Sequence, residues 1–433
     1  MAESRVMRFE IIRDPLWDNI RVDELALRLV DAPEFQRLRY VRQLGLTYLV
    51  YPGATHTRFE HALGAYHLSR VTLALLDERG ALRDVPDDEC AIVRAAALLH
   101  DVGHYPFSHA LEEIGVRHHE EVAGELLTRG RLAELLSEAL GADAPARVHA
   151  LIRGASRSPL QRLVSGSLDL DKLEYLRRDA TMCGVPYGQI DVDRLIHSIV
   201  VVPDPATGRP AIGVQEKGLS ALESLLFAKY QMFRNVYWHH AVRSATAMYK
   251  RLVHDALAAG TLDADTLARH GDEELLHQLS GTPRFAPLLS ALRERRLHKR
   301  VLECPAAELP DEQAAEWIAS DRTLTVAVED RLAAELGVAP GDILLDYPAK
   351  TQMLELDLPV LRRGGAVEQL TAAGWEGSIN LPSLSHQLYR SARWLRVFAV
   401  RGLSVPSARL QSLLLRPAAE LREMVEQDRP LLR

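Results

Sequence analysis

Residues 95–104 read Ala95-Ala96-Ala97-Leu98-Leu99-His100-Asp101-Val102-Gly103-His104, an apolar helical run that ends in a histidine followed at once by an aspartate. Successive side chains on a helix point about 100° apart, so His100 and Asp101 cannot lie in a row on one face. They can straddle one ion, imidazole and carboxylate taking neighbouring positions. Two distant fragments carry matching groups: Thr57-Arg58-Phe59-Glu60-His61 upstream and Asp169-Leu170-Asp171-Lys172 downstream. A further histidine and a further aspartate complete a two-His, two-Asp donor set with positions left open. A hard or borderline cation held in that way can polarise phosphate and activate water.

Working outward, helical periodicity dominates. Residues 22–44 carry Leu25, Leu27, Leu29, Val30, Phe35, Leu38, Val41 and Leu44, broken by Pro33, and read as two helical pieces with a joint at Asp31-Ala32-Pro33. Further helices are expected over 61–76, 89–100, 119–127, 132–140 and 168–178, and over 219–257 as two helices in line. A hairpin is expected to pair 198–202 with 211–214 across Pro203-Asp204-Pro205-Ala206-Thr207-Gly208. From about 270 short strand-like pieces at 343–345, 352–356 and 395–400 alternate with Pro and Gly breaks. The expected fold is mainly α, a helical core over 1–270 with a smaller α+β subdomain over 271–433.

The 433 residues carry a formal charge of −7, which argues against binding nucleic acid through a net basic surface. Cys90, Cys183 and Cys304 form no CxxC pair, so neither a structural zinc motif nor a disulfide framework is signalled. The first fifteen residues lack a signal-peptide core, and no apolar run approaches the ~18 residues that span a bilayer. A cytoplasmic protein without membrane partners is expected.

The fragments resemble the HD-domain phosphohydrolase superfamily, in particular its dNTP triphosphohydrolase branch, which includes the vertebrate enzyme with SAM and HD domains and bacterial homologues. Residues 31–40, Gln43-Leu44-Gly45, Tyr51-Pro52-Gly53-Ala54, 57–64, 100–109 and 168–179 carry the resemblance in the same order. It implies an HD helical core and a divalent ion (Mn, Mg, Fe, Ni or Zn) on His61, His100, Asp101 and Asp171. It also implies hydrolysis of a dNTP to deoxynucleoside and inorganic triphosphate. His109 resembles the general acid, with Glu112 one turn later to orient it; His104 and His119 match further active-site histidines. Histidines this close to an ion can bind phosphate oxygens or protonate a leaving group.

Asp171, Tyr175 and Asp179 fall at i, i+4 and i+8 and share one helix face. By resemblance Lys172 contacts the triphosphate, Tyr175 lies near the sugar, and Asp179 meets its 3′-hydroxyl. Arg58 resembles the phosphate-holding arginine, and Gln43 and Leu44 resemble residues that screen the sugar. Lys229 and Tyr237 resemble the far wall of the pocket, although Tyr237-Trp238-His239-His240 departs from the vertebrate pattern. Trp238 and Phe233 also suit plain core packing. Asp31, Gln36, Arg39 and Arg194 match residues of an activator-nucleotide site, which implies a dNTP activator; the first three equally suit a hydrogen-bond network at the helix joint. Glu10 stands where the vertebrate enzyme has a lysine, a substitution that opposes triphosphate binding. The resemblance further implies a homo-oligomer, with a tetramer as the candidate size. The alternatives are an HD-type nucleotide phosphodiesterase or phosphatase, and a nucleic-acid-binding or nucleotide-sensing module.

Overall fold

The computed structural model describes residues 9–349, 358–370 and 381–432. Its centre is the helix Arg58–Glu78, flanked by Asp87–Leu99 and Leu170–Cys183. Thr57 and Glu60 start the first of these as a capping box, the Thr57 amide donating to Glu60 Oε2 at 2.5 Å. Leu63, Tyr66, Leu73 and Leu76 on that helix are buried against Ile92, Val93, Ala96 and Leu99 in one continuous core. Asp169 caps the third helix by accepting from the Lys172 amide at 2.9 Å, and Gly184 ends it in the left-handed conformation that glycine tolerates. His61, His100, Asp101 and Asp171 therefore all lie in or beside the termini of buried helices.

Nine strands are defined among the described residues. β1 (Phe9–Asp14) pairs antiparallel with β2 (Asp18–Asp23). β3 (Ile199–Pro203) and β4 (Pro210–Gln215) form the expected hairpin, Ile199 opposite Val214, around a turn organised by Asp204. β4 runs parallel to β7 (Pro359–Leu361), which pairs with β8 (Val367–Gln369). A third sheet has the order β5 (Lys299–Pro305), β9 (Trp394–Ala399), β6 (Ile343–Asp346). It packs on the helix Arg322–Leu336 over its own core. Contacts across the division expected near 270 include the β4–β7 pairing and a core cluster that joins Leu46 and Phe107 to Leu292, Leu344 and Phe398.

The 22–44 reading is corrected, one hairpin is added, and the 219–257 pair of helices is found with a π-helical turn between them. The 22–44 stretch begins in strand β2, and only Glu24–Val30, capped by Asp23, is a full helix before the joint. After Pro33 the chain makes one α-turn, Pro33–Gln36, and a 3₁₀ turn, Arg37–Tyr40, so Gln43 and Leu44 lie outside any helix. The β1–β2 hairpin was not anticipated, because only Ile20 and Val22 of β2 are buried core and the alternation is too short to register. The 219–257 run is Leu219–Met232 and His240–Ala258, separated by a π-helical turn, Phe233–Tyr237, in which the Trp238 amide reaches back to the Phe233 carbonyl at 2.8 Å. The expected strand at 352–356 lies outside the described residues.

Candidate metal centre and active site

The four expected ligands converge. His61 Nε2 is 2.9 Å from Asp171 Oδ1, 3.1 Å from His100 Nε2 and 3.6 Å from Asp101 Oδ2; His100 Nε2 is 3.4 Å from Asp101 Oδ1 and 3.5 Å from Asp171 Oδ1. The outer ring nitrogens fix the rings. His100 Nδ1 lies 2.9 Å from the Ala97 carbonyl, which can only accept, so His100 carries its proton on Nδ1. His61 Nδ1 donates to Glu174 Oε2 at 2.5 Å. The two Nε2 atoms and the carboxylates then face one another, an arrangement that a shared cation would satisfy. Charge says the same. Burial opposes charge on His61, yet its hydrogen bonds to Asp171 and Glu174 push it up to about 10. Burial likewise opposes ionisation of Asp101, which Arg58, His100 and His104 nonetheless hold well below the usual carboxylate range. The donor set thus fits a divalent ion, with carboxylate–histidine support behind it.

Glu174 was missed in the sequence, although it stands three residues after Asp171 and so close to its face. It is fully buried, accepts from Trp17 Nε1 at 3.0 Å and Arg178 Nε at 2.7 Å, and is anchored through Arg178 to Asp14. Room for it comes from Gly64, where a Cβ would lie 2.1 Å from Glu174 Oε1. Gly103 serves the neighbouring turn in the same way: a Cβ there would meet the His119 carbonyl at 2.2 Å. Arg37 was also missed as a site residue; it ties that turn down by donating to the Val102 and His104 carbonyls at 2.9 and 2.8 Å.

A second histidine group abuts the first. His104 Nε2 is 3.1 Å from Asp101 Oδ1, and its ring stacks on His119 at 3.7 Å with 17° between planes. Glu112 joins His109 Nδ1 at 3.0 Å to His119 Nδ1 at 2.6 Å. Burial and the Arg58 charge hold His104 well below its ordinary value, and burial pushes His119 down to about 4 despite Glu112. Burial opposes charge on Glu112, but His109 and His119 keep it ionised. His109 is the exposed member, its side chain 60% accessible. Although donor atoms of these four residues lie within 4.8 Å of one another, two stacked imidazoles direct their in-plane lone pairs along parallel planes rather than at one point. The group suits proton transfer better than metal binding.

Both groups open into one cavity of about 1330 Å³. Gln43, Leu44, Arg58, Lys172, Tyr175, Asp179, Lys229 and Tyr237 line it, as do His100, Asp101, Asp171, His104, His109, Glu112 and His119; His61 lies behind them, fully buried. Arg58 spans the two groups, donating to Asp101 Oδ2 at 2.5 Å and through Nε and Nη2 to Ser108 Oγ at 3.0 and 2.6 Å. Lys172 Nζ pairs with Asp169 and with the Gly166 carbonyl at 2.8 Å. Burial next to Lys172 pushes Lys229 down to about 7. At the far end Asp179 accepts from the Tyr237 hydroxyl at 2.7 Å and meets His56 Nε2 at 2.8 Å. Burial first, and then nearby carboxylates, keep the Tyr175 and Tyr237 phenols protonated.

Asp31, Gln36, Arg39 and Arg194, expected at an activator site, do not line this cavity. Gln36 donates to the Val30 carbonyl at 2.7 Å, Arg39 Nε donates to Gln36 Oε1 at 2.8 Å and lies over Phe59, and Asp31 ends the preceding helix. Arg194 lies elsewhere in sequence, its Nη2 donating to the Lys217 carbonyl at 3.3 Å.

A helical core with a two-His, two-Asp donor set beside an imidazole group fits the class of metal-dependent phosphohydrolases. The HD domain model matches residues 58–166 and the HD associated region model residues 190–373. The uncharacterized protein MJ1154 of Methanocaldococcus jannaschii is 34% identical over 341 residues, 78% of this chain and 69% of that protein. Deoxynucleoside triphosphate triphosphohydrolase SAMHD1 of Gallus gallus is 30% identical over 264 residues, 53% of this chain and 42% of that one. A hypothetical protein from Aquifex aeolicus, known from its crystal structure, superposes with TM-score 0.70 at 26% identity, covering 98% of this chain and 100% of that one. The chain belongs to the HD-domain phosphohydrolase superfamily and is related to its dNTPase members. Among the described residues no helix is long and apolar enough to cross a membrane.

Proposed function

We propose that the protein hydrolyses deoxynucleoside triphosphates to the deoxynucleoside and inorganic triphosphate. One observation carries the reading. The helix Leu170–Cys183 presents Asp171 to the donor set and Asp179, eight residues on, to Tyr237 at the opposite end of the same cavity. Those positions are about 12 Å apart along the axis, a span suited to a phosphate end and a sugar end on one rigid ruler. A divalent ion held by His61, His100, Asp101 and Asp171 supplies charge neutralisation and an activated water when bound. His109, oriented by Glu112, protonates the 5′-oxygen as it leaves the α-phosphorus. Lys172 and Lys229 add cationic character along the phosphate path, while Arg58 ties Asp101 to Ser108 and holds the two groups in register. Tyr175 and the Asp179–Tyr237 pair receive the sugar, with Gln43 and Leu44 on the wall that distinguishes deoxyribose from ribose.

The test is to incubate the purified protein and Mn or Mg with each dNTP and NTP, alone and in pairs, and to identify the products by ³¹P NMR. Inorganic triphosphate is expected from dNTPs. Monophosphate with pyrophosphate, or orthophosphate, would instead indicate a phosphodiesterase or phosphatase. Acceleration in pairs only, and a larger species in sedimentation, would mark nucleotide activation and a homo-oligomer, both of which belong to this proposal.

A further inference from the structure

The turn that carries His109 is held in a conformation its own sequence does not favour. Phe107 and Ser108, consecutive and neither of them glycine, both have positive φ, 57° and 64°. Such outliers persist only where the surroundings over-determine them. Ser108 is held from the HD core, its Oγ accepting from Arg58 and donating to the Gln43 carbonyl at 2.7 Å, whereas Phe107 and Glu113, on either side of it, are held by residues 243–346. The Phe107 amide donates to Asp272 Oδ1 at 2.7 Å, the Tyr249 hydroxyl to the Pro106 carbonyl at 3.2 Å, and the Phe107 ring lies 4.8 Å from that of Tyr249. Asp272 Oδ2 accepts from both the amide and Nη1 of Arg42, at 3.1 Å each, so one buried carboxylate staples the Gln43 segment to the His109 turn. At the other end of the turn Glu113 receives both terminal nitrogens of Arg243, at 2.9 and 2.8 Å, and Lys250 Nζ at 2.7 Å. The same two cations are shared with buried Asp346 on β6.

We propose that Asp272 and the Glu113–Arg243–Lys250–Asp346 cluster are positioning residues, through which the HD associated region holds the Phe107–Glu113 turn so that His109 and Glu112 face the donor set. This rests on the proposed role of His109 but not on the identity of the substrate. Burial pushes the Asp272 carboxyl up to about 6. The groups around it are Arg42 and Arg37 from the 33–42 segment, Tyr48, Tyr249 from the helix behind, and Glu273 and Glu274 on its own helix. Protonation removes the charge from its bonds to Arg42 and the Phe107 amide, so these two bonds weaken as pH falls through about 6 while burial of the neutral carboxyl costs less.

Asp272→Asn tests this, with Glu113→Gln as a second variant at the other end of the clamp. In Asp272→Asn, kcat is expected to fall about 10–100-fold, the scale of a misplacement near 1 Å. KM should stay within about threefold and the metal content unchanged. The ratio of wild-type to Asp272→Asn kcat should shrink below pH 6. Glu113→Gln should lower kcat in the same direction. Independently of turnover, hydrogen exchange at the Phe107 amide should quicken in Asp272→Asn. Wild-type kcat in both variants, unchanged exchange at Phe107, or loss of metal or native melting in parallel with kcat in both variants would overturn the proposal. If wild-type protein releases a product other than triphosphate, the substrate reading fails while the clamp is still measured on that substrate.

Discussion

Two groups of histidines lie side by side in this protein and are tuned in opposite senses. Around His61 and His100, the carboxylates of Asp101, Asp171 and Glu174 outnumber the imidazoles, and the site draws positive charge despite burial. Burial works against positive charge on His104 and His119, helped at His104 by the Arg58 guanidinium, and Glu112 is the carboxylate that links His109 to His119. Asp101 joins the groups, facing His61 and His100 on one side and His104 on the other. The residue type is therefore a poor guide to role. On the proposed roles, a ligand differs from a proton carrier in the carboxylates within hydrogen-bond reach and in the solvent access of the ring.

Breaking the first group should cost the most. Asp171→Ala is expected to lose bound metal and activity together, a fall of about 1000-fold or more; metal analysis and turnover on the same sample check it. His109→Ala should instead keep its metal and lose about 100- to 10,000-fold in kcat, which separates the two roles. Glu174→Gln should weaken metal affinity by about 10–100-fold, measured by competition with a chelator. Gly64→Ala is expected to do the same through the Cβ that intrudes on Glu174, even though alanine favours the helix. The smallest change lies at the far end of the cavity. Tyr237→Phe removes one hydrogen bond to Asp179, and a loss of about 1 kcal/mol should raise KM for a dNTP roughly fivefold with kcat retained.

Much of this architecture was legible because it is local. The helices around His61, Asp101 and Asp171 announce themselves by apolar periodicity. The His-Asp pair at 100–101 names its own chemistry. The supporting carboxylates were harder to find. Glu174 looks like any solvated glutamate until Gly64, 110 residues away, is seen to make room for it. Asp272 and Arg243 lie beyond 230 in the chain and reach the His109 turn only through tertiary packing, which no short-range pattern encodes. The β1–β2 hairpin escaped for the opposite reason: its strands bury too few side chains to mark a period. The Arg58 side chain, expected at the phosphates, is largely engaged with Asp101 and Ser108, a geometry that residue spacing does not reveal.

Hydrolysis in ¹⁸O-labelled water tests the central claim most directly, because it reports which bond the two histidine groups act on. With a dNTP and a divalent metal, ³¹P NMR should show one ¹⁸O in a terminal phosphate of inorganic triphosphate, the former α-phosphate. The deoxynucleoside should be unlabelled, since His109 protonates the original 5′-oxygen. Label in the deoxynucleoside, or in pyrophosphate, orthophosphate or a nucleoside monophosphate, would contradict the account.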